Sequence, residues 1–129
     1  MTVIVKPMEN ITLGAEVTGI RLADLAPEDW TSIYDAFLEF GVLVFPGQHL
    51  TEEEQNNFAK RFGETEQLSP LQKGPSVPIS NKKPDGTVAT PNDQGYKLLR
   101  GNEGWHTDST YMPLASKAAM LSAIEVPDQ

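Results

Sequence analysis

The sequence predicts an α+β fold, mostly β with flanking helices, in a single domain. Several short segments alternate apolar and polar residues as strands do, and two longer segments carry the helical spacing of apolar residues. The hydrophobic share of 39%, together with ten glycines and ten prolines among 129 residues, favours a loop-rich globular chain over a helical bundle or a disordered tail. The length suits one domain of ordinary size.

Four main segments are predicted to be strands: residues 3–5, 14–22, 42–45 and 118–126. In the second, Ala15 and Val17 alternate with polar residues, so one face is expected to meet the core. The run at 42–45 is apolar throughout, which predicts a buried strand. Residues 118–126 are apolar on both faces and predict a strand covered on both sides. Because the sequence stops directly after this strand, we expect it to be the N-terminal part of a longer protein.

The first predicted helix begins at Pro27, because proline is tolerated in a first turn. Acidic residues follow at 28 and 29, where the helix dipole favours negative charge. Gly41 is expected to end the helix. An apolar stripe with helical spacing predicts the core-facing side, and it consists of Trp30, Ile33, Tyr34, Phe37 and Leu38.

The second predicted helix follows Thr51. Thr51 and Glu54 have the spacing of a capping box, Phe58 and Phe62 share one face, and Gly63 is expected to end the helix. Periodicity then fades over residues 64–104, which hold five prolines, a turn signal at residues 84–86 (PDG) and room for a short strand over 77–80. A connection of this length is usually functional or mobile.

Charge and composition exclude several classes of partner and site. The net charge of −8 argues against nucleic acid or an anionic membrane as partner, although a local pocket can still bind a small anion. No apolar run approaches the ~20 residues that span a bilayer, and no secretory signal is evident at the N-terminus. The absence of cysteine excludes disulfides and thiolate zinc sites, and it favours a cytoplasmic location. Homo-oligomerisation stays open.

The segment GNEGWHTDSTYM, residues 101–112, contains the candidate site. In an extended segment His106 and Asp108 point to the same side, with Cβ atoms roughly 6–7 Å apart. An imidazole nitrogen and a carboxylate oxygen can then converge on one metal ion. His-x-Asp alone is a weak motif, since chance places it in about one such chain in nine. The alternative is a surface histidine beside a turn aspartate.

The donor types narrow the choice of metal. One imidazole and one carboxylate suit iron, manganese or zinc, and two histidines with one carboxylate are typical of non-haem Fe(II) oxygenases. His49 is the other histidine in the chain. It lies in a predicted turn before the second helix, where an exposed loop residue is the alternative to a ligand.

The order of four segments resembles the taurine and chlorophenoxyacetate dioxygenase family of Fe(II)- and 2-oxoglutarate-dependent oxygenases. In the family's order they are GAEVTGIRL, GVLVFPGQHLTEEEQNNFAKRFGE, ISNKKPDG and WHTDSTYMPLASKAAMLSAIEVP. The resemblance spans nearly the whole chain, and the later segments are more similar to the chlorophenoxyacetate branch. It implies an incomplete double-stranded β-helix, or jelly roll, on which His106 and Asp108 are the first two iron ligands.

The same resemblance implies the rest of the chemistry. A third ligand, a histidine, and a threonine and an arginine that help to hold iron and 2-oxoglutarate would lie beyond Gln129. Dioxygen would serve to hydroxylate a small anionic organic acid, aryloxyalkanoate- or sulfonate-like, with release of succinate and CO2. Asn102 and the backbone at Ser109 would lie at the substrate pocket.

One departure from the family pattern bears on the substrate. Taurine enzymes carry a histidine and a tyrosine where this sequence has Leu68 and Leu71, which implies a more apolar acid or an aryloxy acid. Two other functions stay open: a non-catalytic module that binds a metal or a small acid, and an inactive fragment of the same fold. The 129-residue chain alone is expected to bind iron weakly and to show no turnover.

Overall fold

The computed structural model describes residues 2–66, 74 and 76–126. They form two compact units. The first unit comprises Met1–Gly63 with Met120–Gln129, and the second comprises Glu64–Ala119. A small sheet and helices make up the regular structure, in agreement with the predicted α+β class. The described residues are not mostly β, because their helices hold 30 residues and their strands hold 10. No helix within the described ranges is long and apolar enough to span a bilayer.

The first unit contains a three-stranded sheet in the order β1-β2-β3. The strands are β1 (Ile4–Pro7), β2 (Ala15–Thr18) and β3 (Leu43–Val44). β1 pairs antiparallel with β2, and β2 pairs parallel with β3. A parallel pair needs a crossover connection, and a helix provides it here. Ala15 and Val17 are fully buried, which confirms the alternation predicted from the sequence.

Helix α1 (Pro27–Phe40) is the crossover, and both of its ends agree with the sequence prediction. Pro27 occupies the first turn, and Gly41 ends the helix with a φ of 69° while its N–H donates to the carbonyl of Phe37 at 2.9 Å. Ile33 is fully buried, but Leu38 is 65% exposed, so the predicted stripe was wrong at that residue. The reason is angular, because five residues at about 100° each place Leu38 some 140° around the helix from Ile33.

Helix α2 (Glu52–Ala59) begins with the predicted capping box. The Thr51 hydroxyl accepts from the Glu54 N–H at 3.2 Å, and the Glu54 carboxylate accepts from the Thr51 N–H at 2.7 Å. The Thr51 hydroxyl also donates to the same carboxylate oxygen of Glu54 at 2.8 Å. The bond from the Thr51 N–H, and after it the bond from the hydroxyl, hold the pKa of Glu54 below its usual value. The helix ends at Ala59, four residues before the predicted stop at Gly63, and the intervening residues form turns.

We expect Thr51→Ala to lower the free energy of unfolding of the chain by about 1 kcal/mol, because it removes the side-chain acceptor at the N-cap. The measurement is urea unfolding followed by far-UV circular dichroism. Thr51→Ser keeps the hydroxyl and should retain most of the stability. Equal losses for alanine and serine would show that the methyl group, rather than the cap, is responsible.

An aromatic cluster joins α1 to α2 and to the strand end. The Trp30 and Phe62 rings meet edge-to-face with centroids 4.9 Å apart. The ring of Phe58 also packs edge-to-face against three rings, with centroid distances of 6.0 Å to Trp30, 5.9 Å to Phe62 and 5.8 Å to Phe45. The Arg61 guanidinium lies 5.9 Å from the Trp30 ring and donates to a backbone carbonyl that precedes α1. Within the predicted stripe, Ile33 is therefore buried in the core with Trp30 packed against it, and the rings of Tyr34 and Phe37 pack on Phe62.

Four strand predictions failed wholly or in part. The strand predicted over 14–22 pairs only at Ala15–Thr18. The run predicted as a buried strand at 42–45 pairs only at Leu43–Val44, and Val42 and Val44 are exposed. Residues 118–126 form no strand, and Leu121 and Ile124 are 80% and 96% exposed. Residues 77–80 also lack regular structure. A buried strand needs pairing partners and covering layers, and within the described ranges no strand besides β1–β3 is present to provide them.

The second unit contains a turn and a helix. The predicted turn at residues 84–86 is confirmed: Lys82 and Val88 form a β-bridge around it, and Gly86 has a φ of 84°. The Asp85 carboxylate accepts from the hydroxyl and the N–H of Thr87 at 2.6 and 2.9 Å. Helix α3 (Gln94–Gly101) was not predicted from the sequence. Gly95 and Gly101 near its two ends, and Pro91 before it, obscure the helical pattern in the sequence.

Candidate metal site

The loop after α3 carries the predicted site residues within the second unit. Asn102 is the C-cap of α3, is exposed, and donates its N–H to the Leu99 carbonyl at 3.1 Å. Residues 106 and 107 have no regular structure and 108–110 form a turn, so the predicted extended segment was wrong. Ser109 causes the change of direction, because its φ is 58° and its carbonyl accepts from the Met112 N–H at 3.0 Å.

The turn nevertheless brings His106 and Asp108 together. The Nε2 atom of His106 lies 3.1 Å from the Oδ1 atom of Asp108, and the two side chains are 50% and 69% exposed. The other ring nitrogen, Nδ1, lies 2.8 Å from the carbonyl oxygen of Gly104. Since a carbonyl can only accept, Nδ1 carries the hydrogen and Nε2 is the nitrogen presented to the carboxylate.

The contact between the two side chains is a favourable ion pair when the ring of His106 is protonated. In the neutral ring the Nε2 lone pair would face a lone pair of the carboxylate, so the contact is favourable only with a proton or a metal ion between them. The pKa of His106 is accordingly raised, first by the hydrogen bond to the Gly104 carbonyl and then by the negative charge of Asp108, with partial desolvation opposing both.

The spacing of the pair fits adjacent ligands of one metal ion. Imidazole nitrogen and carboxylate oxygen bind metals at about 2.0–2.2 Å, so two such donors at neighbouring octahedral positions are about 3 Å apart. The observed separation is 3.1 Å.

In the described part of the chain no group of three His, Cys, Asp or Glu side chains could hold a metal. His49, exposed in the loop before α2 with a φ of 47°, belongs to no such group.

Ser109 is held by a residue that the sequence did not point to. It is only 6% exposed, and its hydroxyl donates to Oε2 of Glu66 at 2.5 Å. Ser116 donates to the same oxygen at 2.8 Å. Both bonds lower the pKa of Glu66, and the bond from Ser109 has the larger effect. A left-handed backbone costs a non-glycine residue about 1–3 kcal/mol, which such contacts offset.

Glu66 could not be found from the sequence, because it lies 43 residues before Ser109 and belongs to no local motif. The predicted roles of Asn102 and of the Ser109 backbone toward a substrate remain predictions. The positions compared with taurine enzymes, Leu68 and Leu71, lie outside the described residues.

Comparison with known proteins adds the family context. The profile of the family described as "Taurine catabolism dioxygenase TauD, TfdA family" matches residues 5–129. The chain is 49% identical over 120 residues to the (S)-phenoxypropionate/alpha-ketoglutarate-dioxygenase of Sphingobium herbicidovorans, covering 92% of this chain and 39% of that protein. It is 45% identical to the protein of the same name from Delftia acidovorans, covering 90% of this chain and 40% of that protein.

A solved structure is also similar. The crystal structure of AAD-2 in complex with Mn(II) and N-oxalylglycine matches with a TM-score of 0.73 and 28% identity, over 89% of this chain and 39% of that one. The chain therefore spans about two fifths of the length of the relatives that it matches.

Proposed function

Because the chain belongs to the taurine catabolism dioxygenase TauD, TfdA family, we propose that it supplies two iron ligands of an Fe(II)- and 2-oxoglutarate-dependent dioxygenase that hydroxylates a small organic acid. Since the chain spans 39% of the length of its Sphingobium relative, this activity is assigned to the full-length protein. By this we mean the chain together with any sequence that its gene encodes beyond it. A third ligand, a histidine, and a completed jelly roll are proposed for that further sequence.

The observation that carries the proposal is the contact between His106 and Asp108. Nε2 and Oδ1 lie 3.1 Å apart, the separation that suits two adjacent metal ligands. The Gly104 carbonyl accepts from Nδ1 and fixes both the tautomer and the ring orientation, as outer partners of metal-bound histidines do. Asp108 adds a negative charge that offsets part of the charge of a divalent ion.

Bound Fe(II), with 2-oxoglutarate and dioxygen as co-substrates, would supply the oxidative chemistry that hydroxylates a C–H bond and releases succinate and CO2. The chain's own part is geometric. His106 and Asp108 would hold the metal through Nε2 and Oδ1, and the Gly104 carbonyl would keep the ring of His106 in place. The loop from 102 to 112 would place the substrate beside them, with Asn102 and the Ser109 backbone at the pocket.

An anionic aryloxyalkanoate is the substrate class that we propose. Two curated relatives are named for (S)-phenoxypropionate. The distribution of charge along the chain is compatible with an anionic substrate. The unit Glu64–Ala119, which holds the metal pair, contains six Lys or Arg and six Asp or Glu, so its net charge is zero. The remainder of the chain contains four basic and twelve acidic residues and so accounts for the whole net charge of −8. An anion therefore meets no net repulsion from the unit that carries the pair.

A substrate screen with the full-length protein and Fe(II) tests this function. We expect phenoxypropionate and chlorophenoxyacetates to stimulate succinate release at least about 10-fold over taurine, because a pocket built for one group discriminates against another. Alkyl sulfate esters and other sulfonates complete the panel. A metal-loaded protein that releases no succinate with any member would contradict the proposal and favour a non-catalytic binding module.

A further inference from the structure

The Glu66 carboxylate ties together both ends of the segment that follows Asp108. Its Oε2 atom accepts from the hydroxyl of Ser109 at 2.5 Å and from that of Ser116 at 2.8 Å. Ser109 is the residue directly after Asp108. It is buried, whereas both members of the metal pair are largely exposed. The bonds to Glu66 therefore hold the backbone at the one point of this loop that is sheltered from water.

The two members of the pair need separate anchors, because an exposed loop does not by itself keep two side chains 3.1 Å apart. The Gly104 carbonyl orients the ring of His106. On the other side, the direction of Asp108 depends on the turn at Ser109, whose φ is 58°. A hydroxyl bonded to an ionised carboxylate forms one of the stronger side-chain hydrogen bonds, so Glu66 is well suited to maintain that turn.

Both serine hydroxyls share one oxygen of Glu66, and the other oxygen takes no part in holding this segment. This Oε1 atom is buried and has no hydrogen-bond partner among the residues that the structure describes. A buried carboxylate oxygen without a donor is destabilising.

We propose that Glu66 is a positioning residue that acts through Ser109 to fix Asp108 and so sets the metal affinity of the His106–Asp108 pair. This inference rests on the ligands assigned under the proposed function. Outer partners that orient metal ligands typically change metal affinity by 10–100-fold when they are removed. Glu66 acts through one further residue, so we expect an effect near the lower end of that range.

The test is titration of the full-length protein with Mn(II), with free Mn(II) followed by electron paramagnetic resonance. The temperature is one at which circular dichroism shows every variant folded. We expect Glu66→Ala to weaken Mn(II) binding about 10-fold and Ser109→Ala to weaken it similarly. The double variant should be no weaker than either single variant, because both remove the same link. Glu66→Gln keeps an acceptor oxygen and should recover most of the affinity.

A matched control is Asp85→Ala, which removes another carboxylate of the second unit that is bonded to a neighbouring hydroxyl. It should leave Mn(II) affinity unchanged whatever it does to the melting temperature. The positioning role is overturned if Glu66→Ala binds Mn(II) within about twofold of the parent, if Asp85→Ala weakens binding equally, or if the effects of Glu66→Ala and Ser109→Ala simply add.

A further variant, His106→Ala, separates this inference from the proposed function on which it rests. If His106→Ala abolishes Mn(II) binding while Glu66→Ala leaves it intact, the ligand assignment stands and the positioning role fails. If His106→Ala leaves Mn(II) binding intact, the ligand assignment itself is wrong and the positioning role falls with it.

Discussion

Alanine at His106 or at Asp108 is expected to abolish Fe(II)-dependent conversion of 2-oxoglutarate to succinate by the full-length protein. Each substitution removes one of the two donor atoms that lie 3.1 Å apart. Of the three ligands that we propose for the full-length protein, only two would then remain. The loss should exceed the 10–100-fold effect of removing an outer partner and reach the background rate. The measurement is succinate release under air, together with the metal content of the purified variants.

His49→Ala is the matched control, since it removes the other histidine of the chain. It should leave both metal content and succinate release unchanged. If His49→Ala abolishes activity and His106→Ala does not, the wrong histidine has been assigned. The isolated 129-residue chain provides a second comparison. With two donors in its described part and no three-ligand group there, it is expected to bind iron weakly and to release no succinate.

The second large effect concerns stability. Phe58→Ala should lower the free energy of unfolding of the chain by about 3–5 kcal/mol, the range for removing a buried aromatic ring and leaving a cavity. Phe58 is 4% exposed and meets three other rings, those of Trp30, Phe45 and Phe62. Since the total stability of a domain is about 5–15 kcal/mol, much of the chain's stability depends on this one side chain. Urea unfolding measures the change.

Leu38→Ala provides the contrast, because it shortens a large apolar side chain of α1 that faces solvent. Surface substitutions of this kind change stability by less than about 0.5 kcal/mol. Phe58→Leu keeps most of the apolar volume and should fall between the two. A loss at Leu38 equal to that at Phe58 would show that the stripe on α1 is buried over its whole width, as the sequence alone predicted.

The parts of the fold that could be predicted are those specified by neighbouring residues. Pro27 and Gly41 mark the ends of α1, and Thr51 with Glu54 marks the start of α2, because caps and first-turn residues act within one turn. The sequence also predicted that His106 and Asp108 point to the same side, because they are only two residues apart. They were expected to do so in an extended strand, and they are in contact in a turn instead.

The parts that could not be predicted depend on distant residues. An apolar run such as 118–126 indicates that something should cover it, but its pattern does not identify the partner strand, and the described residues provide none. The bond from Ser109 to Glu66 joins residues 43 positions apart and leaves no periodic signal. Helix α3 was missed because two of its eight residues are glycines, which lower helix propensity.

The placement of the two tryptophans provides a pair of optical reporters. Trp30 lies within the aromatic cluster, whereas Trp105, next to His106, is fully exposed. Indole emission shifts to longer wavelength in water, so red-edge fluorescence should follow events at the metal pair while the blue edge follows unfolding. A Trp30→Phe variant would leave Trp105 as the sole tryptophan and so isolate the signal from the metal pair. In the parent chain, which keeps both tryptophans, metal loading and denaturation could be recorded separately in a single cuvette, without any added dye.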